Sequence, residues 1–269
     1  MQRAYIVVEG PHDVEFVARL LKPAGFDRIK LIEQLDPEWQ PLVPRKFPHA
    51  GDLLMRVPVP IFLRNQTHSV ALHSAVGIAN ITRMLEESWI VLAAHNARPD
   101  HVGVLLDADA GELPSDRHSK LRQEFARPHL ADLHWPAEPG RIGPGTPRCG
   151  TFVLPDNHSA GSLEDLLVEA SQTTYPGLHD SAVAFVERVV ADPLSLGLIP
   201  NDIKPLGKPA GKLKATLASV ANVLRPGRSI AVAIQDCRWL DAAAIRRLSR
   251  ISAVQTFLTD LLGLPTAPN

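Results

Sequence analysis

His101-Val-Gly-Val-Leu-Leu-Asp-Ala-Asp-Ala-Gly111 is an apolar run that ends abruptly in two carboxylates. Such a run reads as a buried strand that delivers its last residues to the edge of a sheet. Side chains two apart on a strand share a face, so the spacing predicts that Asp107 and Asp109 point together while Ala108 points away. Adjacent carboxylates repel. A shared proton, a basic neighbour or a divalent cation relieves the repulsion, and a cation bound by hard oxygens would be of the Mg²⁺ type.

Working outward, Ala4 to Glu9 reads as a β-branched strand that turns at Gly10 into a helix opening at Pro11, with Val14, Val17, Leu20 and Leu21 on one face. Gly25 closes that helix, and Ile29 to Ile32 is expected as a second strand, completing a βαβ start. Between Asp36 and Pro60, six prolines interrupt any regular pattern, so this stretch is read as an excursion, with an edge hairpin over Leu53 to Leu63. Helices are predicted over 76–94 and 118–125, a Pro/Gly-rich surface loop over 136–150, and a strand over Gly150 to Leu154. Ser162-Leu-Glu-Asp165 has capping-box spacing and opens another helix. Beyond it, helices are expected over 181–190, 212–224 and 241–262, with a Pro/Gly-rich hinge over 192–210 and a strand over Ser229 to Ile234. Alternating strands and helices predict an α/β fold with a mostly parallel sheet flanked by helices.

The chain has 269 residues, is 45% hydrophobic and 21% charged, and carries a net charge of −1. That composition suits a globular protein and offers no apolar run long enough for a membrane span. No secretory signal is read at the N-terminus, so a cytoplasmic location is expected. The two cysteines, Cys149 and Cys237, are far apart, and the eleven histidines show no His-x₃-His spacing; together these argue against a disulfide scaffold and a zinc site. The absence of a Gly-x₄-Gly-Lys-Ser/Thr loop disfavours a nucleoside triphosphatase. Charge is uneven: Ile203 to Arg250 holds four Lys and six Arg against two Asp, a net +8. This is either a solvated surface or one that faces phosphate, in which case Lys204, Lys208, Lys212, Lys214, Arg225 and Arg228 are the candidate nucleic-acid contacts.

Three acidic strand or helix ends stand out: Glu9-Gly10, Asp107-Ala-Asp109 and Glu164-Asp165. In an open parallel sheet, ligands collect at the carboxyl ends of strands, where residues distant in sequence can share one pocket. Each residue also has a duller role: Asp165 could cap its helix, while Glu164 and Asp13 could complement helix dipoles. His12 and His158 fall near the same ends.

Val7-Val-Glu-Gly-Pro-His-Asp13 resembles the glutamate motif of Toprim domains, the α/β module of topoisomerases, primases and related nucleases, and Leu106-Asp-Ala-Asp109 resembles their paired-aspartate motif. Pro155-Asp-Asn157 and Ser162-Leu-Glu-Asp165 look like the stand-alone Toprim proteins related to the OLD-family nucleases. The likeness covers 4–32 and 75–170, and more loosely 214–234. It implies a Toprim-like domain over 1–172 with a Pro-rich insertion at about 36–69, and a basic C-terminal α/β extension over 173–269 packed on the same sheet. It further implies Mg²⁺ or Mn²⁺ held by Asp107 and Asp109, with Glu9 as a further ligand or proton-transfer group. Glu164, with Asp165, would serve a second ion, and Lys214 would stabilise transition-state charge. The expected activity is metal-dependent phosphodiester hydrolysis on DNA or RNA. Alternatives are phosphoryl transfer on a small molecule, and a non-enzymatic module that binds nucleic acid or assembles a complex. Neither oligomeric state nor any protein partner is legible.

Overall fold

The computed structural model describes residues 1–45 and 59–265. Its strands are β1 (Gln2–Val8), β2 (Asp27–Arg28), β3 (Ile61–Arg64), β4 (His68–Ser74), β5 (His101–Asp107) and β6 (Arg148–Leu154). They form one sheet in the order β2-β3-β4-β1-β5-β6, in which β4, β1, β5 and β6 run parallel and β3 is antiparallel to both β2 and β4. The helices are α1 (Pro11–Leu21), α2 (Ile81–Ala94), α3 (Pro114–Glu124), α4 (Leu163–Thr174), α5 (Pro176–Ala191), α6 (Pro200–Ile203), α7 (Gly211–Leu224), α8 (Ile230–Asp236), α9 (Ala242–Arg247) and α10 (Ser249–Leu262). The fold is α/β, with a mostly parallel sheet flanked by helices.

Because strand side chains alternate, β1 feeds two cores at once. Ala4, Ile6 and Val8 join α1, α4, α7, α8 and α10 on one face, whereas Tyr5 and Val7 join α2, α3 and the buried Trp39 on the other. Gly103 and Gly150, paired across β5 and β6, leave a trough for α10. A Cβ on Gly103 would sit 2.6 Å from Leu261, and one on Gly150 would sit 3.0 Å from Phe257. The C-terminal helix therefore lies directly on the sheet, and one core crosses the boundary expected at residue 172.

Several expectations change. The predicted strand at 29–32 is absent: pairing stops at Arg28, and Ile32–Gln34 turns as a 3₁₀ helix. The place beside β1 is taken instead by β4, whose polar residues hid it from periodicity. Its polar side chains are buried but bonded: Ser69 Oγ accepts from Trp39 Nε1 at 2.7 Å, and Tyr5 Oη lies 2.8 Å from His73 Nδ1. The stretch read as an insertion thus supplies β3 and the start of β4, and the two form a hairpin across Asn65 to Thr67. Of the hairpin expected over Leu53 to Leu63, residues 53–58 lie outside the described residues.

The run Ser229 to Ile234 forms helix α8 rather than a strand. A short Ala-rich apolar run fits either state by pattern, and Ala favours helix. With that strand gone, residues 173–265 contain no strand, and the extension expected to be α/β is helical. The last predicted helix breaks at Leu248, with Asp241 capping α9 through a 2.8 Å bond from the Ala244 N–H. No helix among the described residues is long and apolar enough to cross a membrane.

Candidate functional site

From β1 the chain passes through α1 to the β2-β3-β4 side of the sheet, and from β4 it passes through α2 to β5 on the other side of β1. The carboxyl ends of β1 and β5 therefore border the point where the winding reverses, the usual ligand crevice of an open α/β sheet. Glu9 follows β1 and Asp107 ends β5. Both α1 and α4 begin here, with their positive N-terminal ends beside the acidic groups.

Asp107 lies within electrostatic reach of Glu9, Asp13 and Glu164, and Asp13 within reach of Glu9 and Glu164. Asp107 is fixed by a 2.8 Å bond from the backbone N–H of Leu163, in the first turn of α4. Burial raises its pKa well above the ordinary carboxylate value, and Asp13, Glu9 and Glu164 push it further. Asp13, only 7% exposed, accepts the Gly10 N–H at 2.9 Å through Oδ2, while its Oδ1 has no partner. Its pKa is also raised, first by burial and then by Glu9. Glu9 is raised by burial and by Asp109, partly offset by the Asp107 backbone N–H, Arg117 and Lys214; its Oε2 is buried without a partner. Glu164 is buried, with Lys214 Nζ 3.5 Å from its Oε1. His12, half-buried beside Glu164 and Lys214, is held below its usual pKa chiefly by desolvation.

The expected alignment of Asp107 with Asp109 does not occur. The strand ends at Asp107, and Asp109 takes a left-handed φ of 64°, which Asp tolerates better than most residues. Its N–H donates to the Gly161 carbonyl at 2.9 Å, and its exposed carboxylate accepts from Arg117 Nη2 at 2.6 Å. Arg117 also lies 2.7 Å from Glu112. Asp109 is therefore at the rim, near Glu9 but clamped from outside. Asp165, expected as a ligand, is occupied in a capping box: its Oδ2 accepts the Ser162 N–H at 2.8 Å.

Of the six basic residues expected to face phosphate, Lys214 is the one that pairs with a carboxylate of this group among the described residues. Lys204 and Lys208 sit in the turns before α7, and Lys212 in its first turn. Arg225, expected to face phosphate, instead donates to the carbonyls of Leu224 at 2.9 Å and Asp236 at 3.3 Å. It lies eleven residues beyond Lys214, at the far end of α7 and about 16 Å along the axis. Arg228 is exposed beyond that end. His158 is exposed in the loop after β6, its N–H bonded to Asp156 at 2.9 Å.

In the sequence, Asp13 is open to either a helix-end or a functional role and is not among the expected ligands, and Arg117 carries no expectation. The first was detectable as a carboxylate one helical turn after Glu9, whereas the second depends on how α3 folds back over the Asp109 turn.

The donor set tests the implied metal. Hard carboxyl oxygens, two of them orphaned and three groups carrying raised pKa values, are what a divalent cation would satisfy. Among the described residues, no three His, Cys, Asp or Glu side chains already meet at ligand spacing. The residue chemistry fits, and the side chains would have to draw together on binding.

A solved structure of hypothetical protein PH0156 from Pyrococcus horikoshii OT3 is similar at 18% identity and a TM-score of 0.48, over 97% of this chain and 95% of that one. No curated protein matches the chain. Residues 3–261 match the model of a family described as "Protein of unknown function (DUF3226)", and the chain belongs to that family.

Proposed function

We propose that the chain is a Toprim-like nuclease that hydrolyses phosphodiester bonds of DNA or RNA with Mg²⁺ or Mn²⁺, acting in the cytoplasm. The observation that carries this reading is the under-neutralised carboxyl group at the winding reversal, with Glu9 Oε2 and Asp13 Oδ1 buried and unpartnered. Evolution seldom keeps such a cost for packing alone, and perturbed carboxyls in a crevice mark candidate sites. Glu9 and Asp107 would hold the ion, with Asp13 and Glu164 within reach and Asp109 available at the rim. A divalent cation bound there would offset charge on the phosphate and acidify a bound water. Were Glu9 left free of the ion, its carboxylate would instead be placed to exchange a proton at the reacting oxygen. Lys214, exposed but anchored on Glu164, is placed to meet a phosphate oxygen.

Incubation with Mg²⁺ or Mn²⁺ and plasmid, single-stranded DNA and RNA tests the reading. Cleavage of at least one substrate, abolished by chelation, is expected; no cleavage together with no metal binding overturns it. One observation favours a second reading, a non-enzymatic nucleic-acid-binding or assembly module: the carboxyls are not at ligand spacing, and a shared proton would also quiet them. Metal binding without turnover on nucleic acid would leave phosphoryl transfer on a small molecule.

A further inference from the structure

Beside the start of α7, on the same helix as Lys214, a hollow of about 450 Å³ has apolar walls formed by Val190, Pro200, Ile203 and Leu206. Two cations, Lys204 and Lys212, also line it; both are exposed, and neither forms an ion pair with a described residue. The nearby Asp202 carboxylate is turned into its own backbone, accepting the Ile199 N–H at 3.0 Å. The hollow is preformed by a close approach: a Cβ on Gly211 would lie 2.3 Å from the Pro205 carbonyl oxygen and 2.8 Å from that of Leu206. Only glycine lets the wall-bearing turn press this closely on the helix start.

We propose that this hollow is a nucleotide subsite, in which the apolar walls take one base of a nucleic-acid strand and Lys204 and Lys212 take its phosphate. This rests on the nuclease reading of the carboxylates. The volume lies in the range of small-ligand sites and suits a single nucleoside. Pro200 and Ile203 offer apolar contact for the face of a base, whose burial from water is favourable whatever the base. The Asn201 amide in the lining offers a donor and an acceptor to a base edge. Lys212, which lines the hollow, and Lys214, which touches Glu164, are about 3 Å apart along the axis of α7 but roughly 200° apart around it, so a strand seated in the hollow would pass around the start of the helix to reach the carboxylates.

Binding can be read apart from cleavage, by anisotropy of a labelled single-stranded oligonucleotide in EDTA. The unmodified strand should bind at least fivefold more tightly than the same strand carrying abasic residues. Ile203→Asp should abolish that difference while leaving the thermal midpoint unchanged. K204E and K212E should each weaken binding roughly threefold, and together they should lower the salt slope by about one, whereas K208E, with the same charge change as either single variant but outside the hollow, should do less. Equal binding of normal and abasic strands overturns the subsite, as does an unaltered affinity in Ile203→Asp. A fluorescent fatty acid that binds in the hollow, with Ile203→Asp abolishing its binding, and that nucleotides do not displace also overturns it. Base-dependent binding without cleavage under any metal upholds the subsite and removes the nuclease, while cleavage without base dependence does the reverse.

Discussion

At the amino ends of β1 and β5, Gln2, His68 and His101 are gathered under the end of α10; at the carboxyl ends of the same strands, Glu9, Asp13 and Asp107 are gathered under α1 and α4. The first group is made of neutral polar side chains with their bonds largely in place. His68 Nε2 lies 2.9 Å from both Gln2 Oε1 and the Leu262 carbonyl, and its Nδ1 lies 2.8 Å from Thr67 Oγ1. His101 Nε2 shares the Gln2 oxygen at 3.1 Å, leaving one ring nitrogen unpartnered. Desolvation lowers both imidazoles, His101 to about 4, so they stay uncharged at neutral pH. At the second end, desolvation and mutual repulsion raise three carboxyls. Burying a neutral imidazole that bonds a helix carbonyl helps hold α10 in place, whereas burying several carboxylates opposes folding unless something positive arrives. Both ends are polar, but only one is left electrically incomplete, and that one lies at the winding reversal.

Asp107→Asn should sharpen this contrast most. It keeps the oxygen that accepts the Leu163 N–H but removes the charge. The proposed nuclease activity should fall at least roughly 100-fold, since losing the proposed ligand should cost no less than losing its outer-shell support. Stability should move the other way. A carboxyl whose folded pKa is raised contributes stability that is present below its unfolded value near 4 and is lost as pH rises through the folded value. Metal-free Asp107→Asn should therefore be more stable than wild type at pH 8, by on the order of 1–2 kcal/mol in denaturant unfolding. A variant that is fully active, or less stable, would erase the distinction between the ends.

The histidine end carries the opposite sign. Its folded pKa values are depressed, so the unfolded chain binds more protons and stability falls as pH drops from about 6.5 towards the folded value of about 4 for His101. In the Asp107→Asn background, where the opposing carboxyl effect is reduced, acidification from pH 7 to 4.5 should cost about 1–2 kcal/mol after solvent screening. His101→Gln should flatten that limb, and an unchanged slope would place the acid sensitivity elsewhere. The smallest expected effect separates cap from ligand at Asp165. Asp165→Ala should cost about 1 kcal/mol of stability, as helix caps do, and leave Mn²⁺ affinity within about twofold. A tenfold loss of affinity would return Asp165 to the ligand set.

Much of this layout was legible in the sequence. The β1-turn-α1 unit, β5, β6 and the capping box at Ser162 announce themselves through apolar runs bounded by Gly, Pro and Ser. β4 did not, because His68, Ser69 and His73 look like surface residues until Gln2, Trp39 and Tyr5 are brought to meet them. Asp109 was misplaced because alternation assumes that the strand continues, and the chain leaves it at Asp107. Ser229 to Ile234 reads as a strand because its five apolar residues, Ile230 to Ile234, carry no period. Convergence of Glu9, Asp107 and Glu164 follows from parallel strand order, whereas the burial of Asp13 and the Arg117 clamp depend on tertiary packing that no local pattern encodes.

The most direct test is an anomalous difference map at the manganese edge from crystals soaked in Mn²⁺. The account predicts density within about 2.5 Å of carboxyl oxygens of both Glu9 and Asp107, with Asp13 or Glu164 drawn towards it. An ordered Glu9-Asp107 pair with no anomalous peak at saturating Mn²⁺ would contradict it.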